Sequence, residues 1–483
     1  MTFPTTADTP AAAEPTPTTP TAWAGLRPVL LRVHFYAGVL IAPFLLVAAV
    51  TGLLYAASHQ IEKVVYADQL TVAQVGTTAL PLSRQIDAAR AAHPEGSLAL
   101  VRTSDDPEAT TQVLLNVPGL AEGVRRAVFV DPYTAEVRGA LESFGGDGAL
   151  PIRTWLDKLH ANLLLGEPGR IYSELAASWL WVVALGGLAL WIGRRRTSRR
   201  ALLLPERAAR GRRRSLSWHG VVGLWATAGL LGLSVTGLTW STYAGANIEQ
   251  LRTSLDWSTP VISTKLGTAP AATGEHSGHE GHGAPAPAPA PAPGPAAPTA
   301  EVGVDQVLAA AAAKGLDGPL ELVPPKGPGK AYVVKQTDKQ WPVRLDQVAV
   351  DPADGRVVSE LRYADYPLGA KLTRIGIDTH TGLFLGLANQ LALMALAGGL
   401  IVLTVLGYRM WWQRRPTRAT GLTFGRPYPR GAWRQSPKAT AALALTAVAV
   451  GWFLPLLGIP LAAFLLVDLL LGLRTRGRAT TDA

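Results

Sequence analysis

The sequence predicts a membrane α-helical bundle, with a four-helix core from a tandem duplication plus a C-terminal helical hairpin, and two extracytoplasmic α+β modules. Three observations predict this fold class. Apolar residues make up 48% of the 483 residues and gather into long blocks without charge. The second half of the chain repeats motifs of the first half, and basic residues concentrate in short segments between the apolar blocks.

Five windows contain no Asp, Glu, Lys or Arg, and each is long enough to cross a bilayer. They cover residues 33–61, 175–193, 215–248, 379–408 and 439–467. The last window continues to Leu473 and carries Pro455, Gly458 and Pro460 near its middle. We therefore predict a tight helical hairpin there, and six spans in total.

Two sets of motifs recur at fixed spacing, which indicates an internal duplication. His34, Gly38 and the triplet Thr51-Gly52-Leu53 match His219, Gly223 and Thr236-Gly237-Leu238. His160 matches His380, and the same offset of 220 residues carries Asp131-Pro132 onto Asp351-Pro352. The sequence thus pairs His34 with His219 and His160 with His380.

Positive charge marks one side of the predicted membrane protein. The formal net charge is +10, and the basic residues cluster in 194–214, in 414–438 and after the final helix. The positive-inside rule places these segments in the cytoplasm, and segments 62–170 and 249–378 outside. We expect a multi-pass protein of the bacterial cytoplasmic (inner) membrane with both termini cytoplasmic, a lipid bilayer as its surroundings, and no nucleic acid partner.

The domain boundaries follow from these windows and from composition. They are a disordered cytoplasmic tail (1–27), TM1 (28–60), a first external module (61–152), the His160 segment and TM2 (153–195), a basic cytoplasmic loop (196–214), TM3 (215–245), an external Ala/Pro/His-rich linker region (246–300), a second external module (301–370), the His380 segment and TM4 (371–413), a cytoplasmic loop (414–438), the TM5–TM6 hairpin (439–473) and a cytoplasmic tail (474–483). Short β-branched runs predict strands, and Ala-rich stretches predict a helix, in each external module.

The four duplicated histidines suit haem. A neutral imidazole is a good axial ligand of haem iron, and two imidazoles fill both axial positions. With odd spans entering from the cytoplasm, His34 and His219 lie near the inner face and His160 and His380 near the outer face. The pattern favours two b-type haems with bis-histidine ligation. They are noncovalent, because the chain has no cysteine.

For any one of these histidines the alternative is a headgroup-level side chain without a ligand. His59 has no counterpart, since Ala244 stands at the matching position, so we interpret it as structural or as a headgroup contact. Gly38 and Gly223 lie one turn after their histidines and leave room for a macrocycle or for ordinary helix packing. We assign no chemical role to Thr51 and Thr236, because the hydroxyl of a threonine in a helix commonly donates a hydrogen bond to the carbonyl one turn back.

Three further histidines, His276, His279 and His282, lie in a segment of repeated Ala-Pro dipeptides. Their imidazoles suit Cu(II), Ni or Zn outside the cell. A low-complexity tract without a metal role is the alternative, because ordering such a chain costs entropy.

The duplicated motifs resemble the PepSY-associated transmembrane family, which includes iron-regulated membrane proteins and siderophore-iron reductases. The resemblance covers roughly residues 28–415. It implies a four-helix core with two extracytoplasmic PepSY modules and, in the reductase members, a pair of haems that relay electrons outward. The C-terminal hairpin and the histidine-rich linker depart from the family pattern.

The sequence favours a dihaem transmembrane electron-transfer protein that reduces an extracytoplasmic ferric chelate, with a ferric siderophore as the substrate that the resemblance implies. It has no dinucleotide fingerprint or phosphate loop, so electrons would come from a quinol or a separate cytoplasmic donor. A cofactor-free PepSY regulator of a secreted peptidase is one alternative. A copper or zinc handling protein centred on the linker is another, and homodimerisation stays open.

Overall fold

The computed structural model describes residues 22–194, 200–267, 302–414 and 437–481. The first span consists of two helices, α1 (Ala22–Leu40) and α2 (Ala42–Val65). Pro43 lies in the first turn of α2, where its missing N–H costs little. The helix begins before residue 28, so residues 22–27 do not belong to the expected tail. The Trp23 ring packs against Gly193 at the end of the second span, which holds this first turn.

Three more long apolar helices follow: α6 (Glu167–Ile192), α8 (Gly211–Leu238) and α12 (Leu387–Trp412). Together with α2 they are long and apolar enough to cross a membrane. Helix α8 packs against α6 and α12, and α2 packs against the same two helices. The interior of this group holds side chains such as Leu45, Trp179 and Leu230.

The C-terminal residues form two helices in contact, α13 (Pro437–Phe453) and α14 (Pro455–Thr481). Gly451 and Gly458 meet so closely that a Cβ on either would overlap the other's backbone. Helix α13 is shorter than the four candidate spans. The hairpin docks onto the bundle through Trp179, whose indole N–H donates to the carbonyl of Leu456 at 3.1 Å.

A separate short helix precedes each even-numbered span. Helix α5 (Pro151–Asn162) leads to α6, and α11 (Leu368–Thr381) leads to α12. The caps of α6 and α12 are Gly166 and Gly386, with φ of +66° and +55°. Glycine suits this left-handed backbone because it has no Cβ. Each turn lets the short helix fold back along the bundle.

The region expected as a linker, 246–300, begins with a helix. Helix α9 (Tyr243–Ser254) follows α8 after a short turn. The buried carboxylate of Glu174 accepts hydrogen bonds from the backbone N–H groups of Tyr243 and Ala244, at 3.0 and 2.8 Å. An acidic group at a helix N-terminus satisfies donors that the helix leaves free.

The strands of the two modules that the sequence places outside join in one antiparallel sheet. The strands are β1 (Ser97–Arg102), β2 (Thr111–Asn116), β3 (Val124–Val130), β4 (Val137–Phe144), β5 (Leu320–Val323), β6 (Tyr332–Gln336), β7 (Gln347–Val350) and β8 (Val357–Leu361). Their order is β4-β3-β2-β1-β5-β6-β7-β8. The two modules therefore share one sheet through the pairing of β1 with β5, where Val101 faces Leu322.

Two helices cover one face of this sheet, α4 (Leu82–Ala92) and α10 (Val304–Ala313). Their apolar side chains pack with those of the central strands in one buried cluster. At the junction the guanidinium of Arg102 pairs with Glu321 at 2.8 Å. Burial alone raises the pKa of Glu321, but Lys335 and Arg102 lower it below its ordinary value, so the carboxylate is held charged.

The sheet is attached at one end of the helix bundle, which we call the sheet side. The buried Glu62, near the end of α2, accepts hydrogen bonds from the backbone N–H of Leu150 and from the guanidinium of Arg153, both at 2.8 Å. Leu150 follows β4 and Arg153 lies on α5. One carboxylate thus joins the first span, the sheet and the short helix.

Candidate cofactor site: four histidines in two layers

The first two candidate ligands, His34 on α1 and His219 on α8, are held in the same way. The Nδ1 atom of His34 lies 3.1 Å from the carbonyl oxygen of Val183 on α6. The Nδ1 atom of His219 lies 3.1 Å from the carbonyl oxygen of Leu403 on α12. A carbonyl oxygen can only accept, so each Nδ1 must carry the proton. Each Nε2 then has a free lone pair, as a metal ligand requires.

The two rings meet across the bundle. Their centres are 6.2 Å apart, and their planes are inclined by 74°. A metal–imidazole bond is about 2 Å long, and a ring nitrogen lies roughly 1.1 Å from its ring centre, so two imidazoles on opposite sides of one iron have centres roughly 6 Å apart. The separation between His34 and His219 fits two axial ligands of a single iron.

The second two candidate ligands are held by threonines. The Nδ1 atom of His160 on α5 lies 2.9 Å from the hydroxyl oxygen of Thr51 on α2. The Nδ1 atom of His380 on α11 lies 2.7 Å from the hydroxyl oxygen of Thr236 on α8. The short helices α5 and α11 therefore bring His160 and His380 onto the bundle rather than to the start of α6 and α12.

The threonine hydroxyls fix the tautomer of these histidines. Thr51 donates its own proton to the carbonyl of Val47 at 2.9 Å, and Thr236 donates to that of Gly232 at 2.7 Å. With the hydroxyl proton engaged, each oxygen accepts the Nδ1–H of its histidine. All four histidines thus present an unprotonated Nε2. Sequence reasoning missed these threonines, although their recurrence at the same distance from His34 and His219 was a usable signal.

Small residues support the rings. A Cβ on Gly52 would lie 3.1 Å from Cε1 of His160, and one on Gly187 would lie 2.9 Å from Cε1 of His34. A Cβ on Gly237 would lie 3.5 Å from Cε1 of His380. A Cβ on Gly38 would meet no neighbouring atom within 4 Å, and one on Gly223 would lie 3.6 Å from Cδ2 of Leu403. Gly52 and Gly237 therefore leave space for the rings of His160 and His380, in addition to letting helices approach each other.

An aromatic ring stacks or abuts each histidine of the second pair. The ring of Tyr55 is stacked on that of His160 with centres 6.4 Å apart. The ring of Trp240 meets His380 edge-on with centres 5.2 Å apart. Tyr55 and Trp240 each lie four residues after the threonine that bonds the histidine. Tyr55 shares the face of α2 with Thr51, and Trp240 lies in the turn after α8.

The two pairs form two layers. Helix α8 is continuous, and Thr236 lies 17 residues after His219, which is about 25 Å at 1.5 Å per residue. The layer of His160 and His380 is on the sheet side, because α5 joins β4 to the bundle. The layer of His34 and His219 is toward the other end.

Two further side chains of the bundle have partners within the protein. Arg32 forms an ion pair with Asp468 of α14 and so anchors the hairpin. Trp191 is buried and donates its indole N–H to the carbonyl of Leu202 at 3.1 Å.

The linker histidines His276, His279 and His282 lie outside the described residues. Within the described part of the chain, no group of three or more His, Asp or Glu side chains could hold a metal ion. Haem differs from a bare ion, since its macrocycle supplies four ligands and the protein needs to supply only two. The donor set of the two layers fits haem.

A family model described as the PepSY-associated TM region matches residues 31–414. The chain belongs to the PepSY-associated transmembrane family. No curated protein matches the chain. The match begins just before His34 and ends just after α12, so it takes in all four histidines of the PepSY-associated protein and leaves out its C-terminal hairpin.

Proposed function

We propose that this PepSY-associated protein is a dihaem electron conduit that reduces an extracytoplasmic ferric chelate, with a ferric siderophore as the substrate. One observation carries the proposal. In four histidines the Nδ1 atom is engaged by a carbonyl or a hydroxyl oxygen that accepts from it, which leaves Nε2 free. A histidine that served only packing would not require the same tautomer at four positions.

The recurring contacts also support an origin by tandem duplication with a four-helix core. His34 bonds α6 and His219 bonds α12, while Thr51 and Thr236 bond His160 and His380 in turn. Each half of the chain contributes one histidine to each layer. In a pseudo-two-fold arrangement of this kind, one histidine from each half would hold one iron at each depth.

The direction of transfer follows from charge and from the sheet. The basic residues Arg210, Arg212, Arg213 and Arg214 lie at the start of α8, at the end of the bundle away from the sheet. The positive-inside rule makes that end cytoplasmic, so the His34 layer faces the electron donor and the His160 layer faces the outside. The location is the bacterial inner membrane, with both termini in the cytoplasm.

The cofactor would supply one-electron chemistry, because bis-histidine ligation leaves iron without a free position for oxygen. The residues of the chain would orient its ligands and exclude water. Val183, Leu403, Thr51 and Thr236 hold the four imidazoles in the ligand tautomer. Such outer partners raise the basicity of the ligand and fix the ring.

The test is the visible spectrum and haem content of the purified protein, oxidised and then reduced with dithionite. We expect two haems per chain with reduced bands of six-coordinate b-type haem. His160→Ala and His380→Ala should each remove one haem and leave the other. His93→Gln is the matched control, because His93 is remote from the bundle and bonds Glu95. A colourless protein made with ample iron and haem precursor would refute the proposal.

A further inference from the structure

His59 is the one histidine near the layers whose place the proposed function does not explain. It lies on α2, and both of its ring nitrogens are buried without a hydrogen-bond partner among the described residues. A buried polar group without a partner pays its full desolvation cost. A bound group is therefore expected beside this ring.

The position of His59 ties it to the His160 layer. Thr51, Tyr55 and His59 are spaced four residues apart on α2 and so share one face of the helix. Thr51 bonds the His160 ring, Tyr55 stacks on it, and the Tyr55 and His59 rings meet edge-on with centres 6.1 Å apart. His59 is thus the next side chain beyond the outer histidines toward the sheet.

Positive charge surrounds the His59 ring. The charges that act on it are chiefly those of Arg153, Lys339 and Lys63, opposed by Asp147. Arg153 comes from α5, and Lys339 from the segment between β6 and β7 that pairs with Asp147. Although burial alone raises the pKa of Asp147, Lys339 and neighbouring arginines hold it below its usual range, so this acid is ionised. Arg153 is itself paired with Glu62, so three cations and two acids surround the ring, and the surplus of one positive charge comes with Lys63.

The second half of the chain has no counterpart of the His59 position. Ala244 occupies the position that matches His59, and its backbone N–H is bonded to Glu174 at the start of α9. Helix α2 continues past the layer to Val65, whereas α8 ends at Leu238. A bound group beside His59 would therefore sit on one side of the layer only.

We propose that His59, with Arg153 and Lys339, binds a carboxylate at the sheet-side edge of the His160 and His380 layer. The ring donates one N–H to the carboxylate, and the surplus positive charge beside the ring balances its charge. A haem propionate and a carboxylate of a bound ferric chelate share this chemistry. The inference rests on the proposed function where the ligand is a haem propionate. It does not where the ligand is the carboxylate of a bound chelate.

The experiment compares His59→Leu, His59→Gln and the wild-type protein, with His93→Gln as the control. Haem content is measured first. The midpoint potential of the outer haem is then followed by spectroelectrochemical titration without chelate, the outer couple being the one that His160→Ala removes. Binding of gallium(III) citrate, a carboxylate chelate that cannot be reduced, is measured on the oxidised protein by equilibrium dialysis.

With a propionate as the ligand, His59→Leu shifts the outer couple to a lower potential, because the carboxylate charge is less well compensated. We expect about a tenfold change in the redox equilibrium, or about 59 mV for one electron, with a smaller change in His59→Gln and none in the inner couple. With a chelate carboxylate as the ligand, the potentials are unchanged and the Kd for gallium citrate rises at least tenfold. Either result supports the proposal.

The proposal is overturned when His59→Leu changes both the redox equilibrium constant of the outer couple and the citrate Kd by less than twofold. It is also overturned when His93→Gln produces the same changes, since the effect would then not belong to this position. A wild-type protein without haem refutes the proposed function instead. The citrate measurement then still decides whether His59 binds a carboxylate.

Discussion

The hydroxyl oxygen of Thr51 lies 2.9 Å from Nδ1 of His160, and it can only accept from that nitrogen because its own proton goes to the carbonyl of Val47. Thr236 holds His380 in the same way. A helical threonine that bonds its own backbone would ordinarily carry no chemistry. Here that intrahelical bond uses the hydroxyl proton. The hydroxyl oxygen therefore accepts the Nδ1–H of the histidine, and this fixes the histidine's tautomer.

Replacing Thr51 with Val should weaken haem binding at the outer layer. Valine has nearly the same shape but cannot accept from Nδ1–H, so the ring loses the bond that orients it. Loss of such an outer partner typically costs about 10–100-fold in metal affinity. The measurement is haem transfer from the detergent-solubilised protein to an excess of apomyoglobin. Thr51→Ser keeps the hydroxyl and should retain haem, and equal transfer from the two variants would contradict the role of the hydroxyl.

Replacing Gly187 with Ala should disturb the inner layer. A Cβ there would lie 2.9 Å from Cε1 of His34, so the ring must move away from the Val183 carbonyl. We expect a selective loss of the inner haem, seen as a fall from two haems to one per chain. Gly398→Ala is the matched control, because a Cβ at that position of α12 meets nothing within 4 Å. Full haem content in Gly187→Ala would show that the ring position is not required.

The ion pair between Arg32 and Asp468 should couple the hairpin to the first span. Asp468 lies between apolar residues of α14, and removal of its cationic partner leaves charge in an unfavourable place. A double-mutant cycle with Arg32→Met and Asp468→Leu should give a coupling energy of about 1–3 kcal/mol. The free energy of unfolding in detergent is the quantity to compare. Additive effects of the two substitutions would show that the pair does not hold the hairpin.

Substituting serine for His276, His279 and His282 together should leave haem content and chelate reduction unchanged, because the four candidate ligands lie elsewhere. The substitution preserves chain length, so it tests the imidazoles rather than the spacing. Haem per chain and the rate of ferric chelate reduction by the reduced protein are the readouts. Loss of reduction together with sensitivity to copper or zinc would favour a metal-handling role for this segment.

Much of the helical framework could be predicted from sequence, because charge-free windows and the length of a bilayer leave few alternatives. The pairing of His34 with His219 was also predictable, since both stand at the same distance before a Thr-Gly-Leu triplet. The structure places their rings 6.2 Å apart. Their role as haem ligands remains a prediction.

Other features had no local signal. The pairing of β1 with β5 joins strands from modules that are far apart in the chain, and the sequence of neither strand indicates which strand it pairs with. Helix α9 is only weakly apolar, and its N-terminus depends on Glu174 of another helix. The fold-back of α5 depends on Gly166 and on Glu62. These features arise from tertiary contacts rather than from the spacing of apolar residues along the sequence.

Each layer takes one imidazole from residues before 195 and one from residues after 200, and the strands β1 and β5 join the same two parts at the sheet. Neither part alone contains two partners at one depth. A single half produced by itself could therefore complete a layer only by assembling with another copy of itself or with the missing half. Each half should be colourless as a monomer, and the two halves should acquire colour when combined.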